Sequence, residues 1–106
     1  MNPSQRDAFN KACAWQGWTP TYPGFDAGDH QKLFTIGAKR RNVLIYRPLS
    51  FYSNYVVHLG YISDSYNLND ETFSFPTNAT SAEVFVAMNN ILARIEQKVY
   101  ELNRVT

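Results

Sequence analysis

The stretch that decides the fold runs from Thr80 to Asn103 and reads TSAEVFVAMNNILARIEQKVYELN. Its first four residues fit a capping box, in which the Thr80 side chain accepts the amide hydrogen of Glu83 and Glu83 reaches back to the amide of Thr80. Apolar residues then recur at alternating spacings of three and four, the period of one helical face. The stretch therefore predicts a long amphipathic helix with an apolar stripe of Phe85, Met88, Leu92, Ile95, Val99 and Leu102, widened by Val84 and Ile91.

A second helix is expected near the start of the chain. Ser4 is a candidate cap for a helix that ends near Trp15, with Gly17 as its left-handed stop. Phe9, Ala12 and Cys13 would lie on one face of it.

Short runs of β-branched and aromatic residues between the two helices predict strands. The first two runs fit a hairpin whose tip is formed by residues 37–41, and a polar turn precedes the last run. The expected fold class is α+β: an N-terminal helix, a three- to four-stranded mainly antiparallel sheet, and the long C-terminal helix packed on that sheet. Both helices would cover one face of the sheet and leave the other open or covered by a partner. The strands are expected at 32–36, 42–47, 55–63 and 72–75.

Composition indicates one globular domain over residues 1–106, because 44% of residues are hydrophobic and 18% are charged. The net charge of +1 gives no bulk attraction to nucleic acid or to anionic membranes. The single cysteine, Cys13, excludes an internal disulfide and favours a reducing compartment. With no apolar leader and no run of about 18 apolar residues, we expect a cytoplasmic protein that does not insert into membranes.

Catalytic and metal-binding patterns are weak. The two histidines, His30 and His58, lie in no recognisable nucleophile motif, and Cys13 falls on an apolar helix face. Asp26, Asp29 and His30 offer metal ligands within five positions, but Asp and Gly in such a loop are primarily turn formers. We expect no enzyme activity, no metal and no cofactor, and an enzyme that uses His30 remains the least favoured hypothesis.

The candidate binding residues form a basic group and an aromatic group. The basic residues occupy the expected hairpin tip and the far end of the same hairpin, and the aromatic residues surround the next connection. Arginine suits bidentate contacts with carboxylates or phosphates, and aromatic residues are enriched at protein interfaces. The alternative is that the basic residues form a solvated turn and the aromatic rings cover the sheet. The candidates are Lys39, Arg40, Arg41, Arg47, Phe51, Tyr52 and Tyr55.

One stretch resembles the front half of a double-stranded-RNA-binding domain. The resemblance rests on Gly17-Trp18-Thr19-Pro20-Thr21-Tyr22, followed by Gly28-Asp29-His30-Gln31-Lys32-Leu33-Phe34-Thr35-Ile36. It implies a helix, sheet, helix order and RNA binding. In that family a Lys-rich start of the second helix grips phosphates, whereas residues 78–83 of this chain contain no basic residue.

Together these patterns favour a small non-catalytic cytoplasmic protein that binds a macromolecular partner, more readily a protein than a nucleic acid. Accessory and inhibitor proteins of phages and mobile elements are often of this size and type. The alternative is an RNA- or DNA-binding module that uses the basic tip and exposed tyrosine rings. A homodimer through the long helix is a further alternative, although a widened stripe is more typical of packing on the protein's own sheet.

Overall fold

The computed structural model describes residues 1–21, 28–60 and 73–105. Two helices and six strands occur in these ranges, and the strands form two three-stranded antiparallel sheets, in the orders β1-β2-β3 and β4-β5-β6. The expected α+β class, with a long C-terminal helix on the sheet layer, is confirmed. The elements are α1 (Pro3–Trp15), β1 (Thr19–Pro20), β2 (His30–Ile36), β3 (Lys39–Ile45), β4 (Leu49–Phe51), β5 (Asn54–Val57), β6 (Phe73–Pro76) and α2 (Ser81–Val105).

Helix α1 begins two residues earlier than the sequence suggested, because Asn2 rather than Ser4 is its cap. The Asn2 Oδ1 atom accepts the Gln5 amide hydrogen at 2.8 Å, and the Asn2 amide donates to Gln5 Oε1 at 3.1 Å. Pro3 occupies the first helical position, where its missing amide costs nothing. Gly17, with φ of +83°, ends the helix as expected.

Helix α2 has the predicted capping box. The Thr80 amide donates to Glu83 Oε1 at 3.0 Å, and the Glu83 amide donates to Thr80 Oγ1 at 3.2 Å. Accepting the Thr80 amide hydrogen lowers the pKa of Glu83. The predicted apolar stripe is buried except for Phe85 and Leu102, which are half-buried, and α2 packs on α1 and on strands β2 and β6.

Polar side chains fix the helices to the strands at three places. The buried Gln5 side chain donates to the carbonyl oxygens of Thr77 and Ala79, each at 2.9 Å. Lys32 on β2 forms an ion pair with Glu96 on α2. At the end of α2, Asn103 Nδ2 donates to the Thr35 carbonyl at 2.8 Å and Asn103 Oδ1 accepts the Gly37 amide hydrogen at 2.7 Å. These contacts therefore join α1 to the β6–α2 connection, and join α2 to β2 and the β2–β3 turn.

The two sheets meet at a β-bulge. Ile45, the last residue of β3, pairs with Leu59, and the Tyr46 amide donates to the His58 carbonyl at 3.0 Å. Leu49 then pairs with Val56. Three residues (46–48) separate the two paired positions on one strand and two residues (57–58) separate them on the other, so one strand carries an extra residue.

Six strands occur where three to four were expected, and the two additional ones are β1, which pairs with β2, and β4, which follows the bulge. The chain from β3 to β4 is bent at the bulge, and the predicted strand over 55–63 is divided into β5 and the bridge at Leu59. Residues 61–63 of that prediction lie outside the described residues. The predicted edge strand at 72–75 is present as β6, which pairs with β5.

Candidate interaction surface

Each sheet has one face toward the helices and one face away from them, which we call the outer face. Because side chains alternate along a strand and directly paired residues share a face, the register assigns each residue to a face. The buried apolar residues of the strands identify the helix-facing side. They include Ile36, Val43, Ile45, Val57, Phe73 and Phe75.

The expected basic tip is divided between the two faces. The β2–β3 turn consists of Gly37 and Ala38 only, since Ile36 pairs with Lys39, so the three basic residues lie on β3 instead of in a loop. Arg40 pairs with Thr35 and points to the outer face, where it is exposed. Lys39 and Arg41 are on the helix-facing side. These three residues therefore do not form one cluster.

Arg47 lies at the bulge, away from Arg40. Its amide donates to Asp29 Oδ1 at 2.7 Å. A Cβ atom added to Gly28 would lie 3.2 Å from the Arg47 Cβ and 3.8 Å from Phe9 Cε1. Because Phe9 belongs to α1, the Arg47 side chain leaves the backbone on the helix-facing side of the sheet end.

Phe51 and Tyr52 form an aromatic hairpin tip. Phe51 pairs with Asn54, so the β4–β5 turn consists of Tyr52 and Ser53. Tyr52 has φ of +55°, a left-handed conformation that a two-residue hairpin turn requires but that suits glycine better. The two rings contact edge to face at 4.6 Å between centroids, and Phe51 is 64% and Tyr52 90% exposed.

Tyr55 is separated from this tip. It pairs with Phe75 and Ser50 on the helix-facing side, is half-buried, and its ring lies 5.6 Å from the Phe75 ring. Of the three predicted aromatic residues, two therefore share a surface and the third supports the core.

The outer face also carries apolar residues outside the predicted set of binding residues. Leu33 is 46%, Tyr46 43% and Leu49 48% exposed. The bulge is the reason that Leu49 and Phe51 point outward, since the extra residue reverses the alternation that continues from Ile45. The sequence signal for this was Pro48, because proline is tolerated at bulges. We define the outer-face patch as Leu33, Leu44, Tyr46, Leu49, Phe51, Tyr52 and Val56.

Charges on the described part of the outer face are few. Arg40 lies at one end. Asp29 precedes the helix-facing His30 and lies near Tyr46, between Arg40 and the aromatic hairpin tip. The exposed His58 is opposite Tyr46. The rest of the outer-face patch is mainly apolar.

His30, His58 and Cys13 do not assemble a reactive centre. His30 is buried, its Nδ1 atom lies 2.9 Å from the Gly28 carbonyl oxygen, and its ring packs edge to face on Phe9 at 5.5 Å. Burial lowers the pKa of His30 and raises the pKa of the Cys13 thiol to about 12. His58 is on the opposite face from His30. Asp26 lies outside the described residues.

The described ranges contain neither a metal-binding cluster nor a membrane-spanning helix. No group of three or more His, Cys, Asp or Glu side chains is placed there to hold a metal ion. Within residues 1–21, 28–60 and 73–105, no helix combines the length and the apolar character needed to cross a membrane.

Comparison with known proteins gives no family assignment: the chain matches no protein-family model, and neither curated proteins nor solved structures show a significant match. Of the residues that carry the resemblance to a double-stranded-RNA-binding domain, Tyr22 lies outside the described residues. The first turn of α2 carries the acidic Glu83.

Proposed function

We propose that this chain is a small non-catalytic binding protein of the cytoplasm, which recognises a protein partner through its outer-face patch. One observation carries the proposal: large apolar side chains that are exposed on the sheet layer concentrate on the outer face and on the hairpin tip at its end. Exposed contiguous apolar surface of this kind is characteristic of interaction sites.

The aromatic tip gives the patch a suitable anchor. Tyrosine supplies a large rigid contact area with little loss of side-chain entropy, and aromatic residues dominate binding energy at interfaces. Tyr52 is held in a left-handed conformation that is unfavourable for a non-glycine residue, and such strain is typical of functional positions. Selection for presentation of the ring, rather than for stability, accounts for a tyrosine at this turn.

The placement of charge favours a protein partner over a nucleic acid. A phosphate backbone is bound by several cations on one surface. Here Arg40 is on the outer face, whereas Lys39, Arg41 and Arg47 leave the sheet on the helix-facing side. A mainly apolar patch with an arginine at its edge matches the composition of protein interfaces. An accessory or inhibitor protein of a phage or mobile element would act through such a contact.

The test is affinity capture from the native host with three forms of the tagged protein. In the first variant, Leu49→Asp and Tyr52→Asp place two carboxylates on the outer-face patch. In the control, Val86→Asp and Tyr100→Asp make the same chemical change at exposed positions of α2. Wild type and control are expected to capture the same partner, and the patch variant is expected to lose it. Equal capture by all three forms contradicts the proposal.

A mobility-shift assay with single- and double-stranded RNA and DNA at low salt accompanies the capture. If the partner is a protein, any shift that the wild-type protein causes is expected to be unchanged in Arg40→Glu. A shift that Arg40→Glu abolishes and that weakens steeply with salt would replace the protein partner with a nucleic acid.

A further inference from the structure

We infer that, when its partner is absent, the outer face of this chain pairs with the outer face of a second copy in a two-fold dimer. The inference rests on the proposed function, because it uses the same surface, and it adds a self-contact that the partner must displace. A resting dimer would keep the apolar patch covered until the partner is present.

The area of the patch is the first support. Large aromatic side chains offer about 150–250 Å² each, so the exposed fractions of the patch residues amount to on the order of 500 Å². Each partner in a stable interface contributes about 800 Å². The patch and its polar rim, which includes Thr19, Thr35 and Asn42, therefore supply the surface that a dimer needs.

The distribution of charge is the second support. A two-fold contact requires a surface that is complementary to itself, so that a group at one end meets a different group at the other end. The outer face has the cation of Arg40 at one end and the exposed rings of Phe51 and Tyr52 at the other. Facing copies in opposite directions would place each guanidinium against the aromatic tip of the other copy, a favourable cation–π arrangement.

The same arrangement fixes where the two-fold axis lies. Tyr46 stands six residues from Arg40 and six residues from Tyr52 along the β3–β4 chain. Its ring is on the outer face and 43% exposed. The axis therefore passes near Tyr46, and the Tyr46 residues of the two copies face each other across sheets that pack about 10 Å apart.

Mass in solution is the first test. Interfaces of this size have dissociation constants that are micromolar at the weakest. At about 100 µM, which is above that range, we expect light scattering to give twice the monomer mass of 12.2 kDa. Phe51→Asp is expected to give the monomer mass, and Arg40→Ala to weaken the dimer about tenfold. The control Val86→Asp, on α2, is expected to leave the dimer intact.

Site-specific cross-linking is the second test and does not depend on weakening the dimer. Tyr46→Cys is expected to cross-link to its own copy with a short bis-maleimide, whereas Tyr100→Cys on α2 is not. The buried native thiol of Cys13 does not interfere.

The two tests separate this inference from the proposed function. A wild-type monomer at about 100 µM contradicts the dimer but leaves the capture experiment to decide on the partner. A dimer that survives Phe51→Asp, or that links through Cys at position 100 and not at position 46, places the self-contact on the helices and also overturns the inference.

Discussion

Leu44 lies directly against Gly60 across the bridge that joins the two sheets. The Gly60 amide donates to the Leu44 carbonyl, and a Cβ atom added to Gly60 would lie 2.6 Å from the Leu44 Cβ. This close approach leaves no room for a side chain, because the nearest atoms belong to the β3 strand itself. Gly60 thereby allows the segment after β5 to pack against β3, and the outer-face patch depends on that contact.

Gly60→Ala is accordingly expected to destabilise the protein by about 1–3 kcal/mol, the usual cost of overpacking. Denaturant unfolding measures the change. Gly37→Asn is the control, because no atom lies within 4 Å of the added Cβ and asparagine adopts the left-handed conformation readily. A Gly60→Ala protein as stable as wild type would show that the strands separate at no cost.

Thr80→Ala is expected to lower the free energy of unfolding by about 1 kcal/mol, because the Glu83 amide loses its acceptor at the start of α2. Ser81→Ala removes a neighbouring exposed hydroxyl outside the capping box and serves as the control. Equal effects of the two substitutions, measured by denaturant unfolding, would mean that the box contributes nothing specific.

Tyr52→Gly is expected to raise the free energy of unfolding by about 1 kcal/mol, because glycine adopts a positive φ without the steric cost that tyrosine carries. The same substitution should reduce partner capture, since it removes the most exposed ring of the patch. Ser53→Gly, at the neighbouring turn position without a positive φ, should lower stability instead. A destabilised Tyr52→Gly protein would contradict the view that this turn is strained.

The stability of the protein should fall as the pH drops below about 6.5, owing to His30. Burial lowers the pKa of His30 from its ordinary value of 6.5, although the Gly28 hydrogen bond and the Asp29 carboxylate oppose the shift. The unfolded chain therefore binds the proton first, and stability is lost as the pH falls from 6.5 through the folded-state pKa.

The measurement is the dependence of unfolding free energy on pH between about 7.5 and 5.5 for wild type, His30→Asn and His58→Asn. His58→Asn, which replaces an exposed histidine on the outer face, is the matched control substitution. The His30→Asn slope should be shallower. An unchanged slope in His30→Asn would show that the acid sensitivity arises elsewhere.

The helices could be predicted from sequence because their signals are local. Thr80 and Glu83 stand at capping-box spacing, and the apolar stripe after them has a helical period. The cap of α1 was harder to predict, because Asn2 and Ser4 are both good cap residues. Only the reciprocal hydrogen bonds between Asn2 and Gln5 distinguish them. Local patterns thus predict an element better than its first residue.

The faces of the sheet could not be predicted in the same way. A one-residue slip moves every side chain to the other face, and the alternation after Pro48 is ambiguous because Tyr55, Val56 and Val57 are all apolar. Ile45 pairs with Leu59 on one side of the bulge, and Leu49 pairs with Val56 on the other side. These two pairings decide which residues point outward. Three of the seven predicted binding residues, Arg40, Phe51 and Tyr52, therefore lie on the outer surface, whereas Tyr55 and the other basic residues do not.

The central claim is tested most directly by measuring how the captured partner protects engineered thiols of this chain from labelling. The chain is used at a concentration where it is monomeric, with Tyr46→Cys reporting on the outer face and Tyr100→Cys on α2, while the native Cys13 stays buried. The outer-face account predicts that the partner slows maleimide labelling of Cys at position 46 by tenfold or more and leaves position 100 unchanged. Slower labelling at position 100 with no change at position 46 would contradict it.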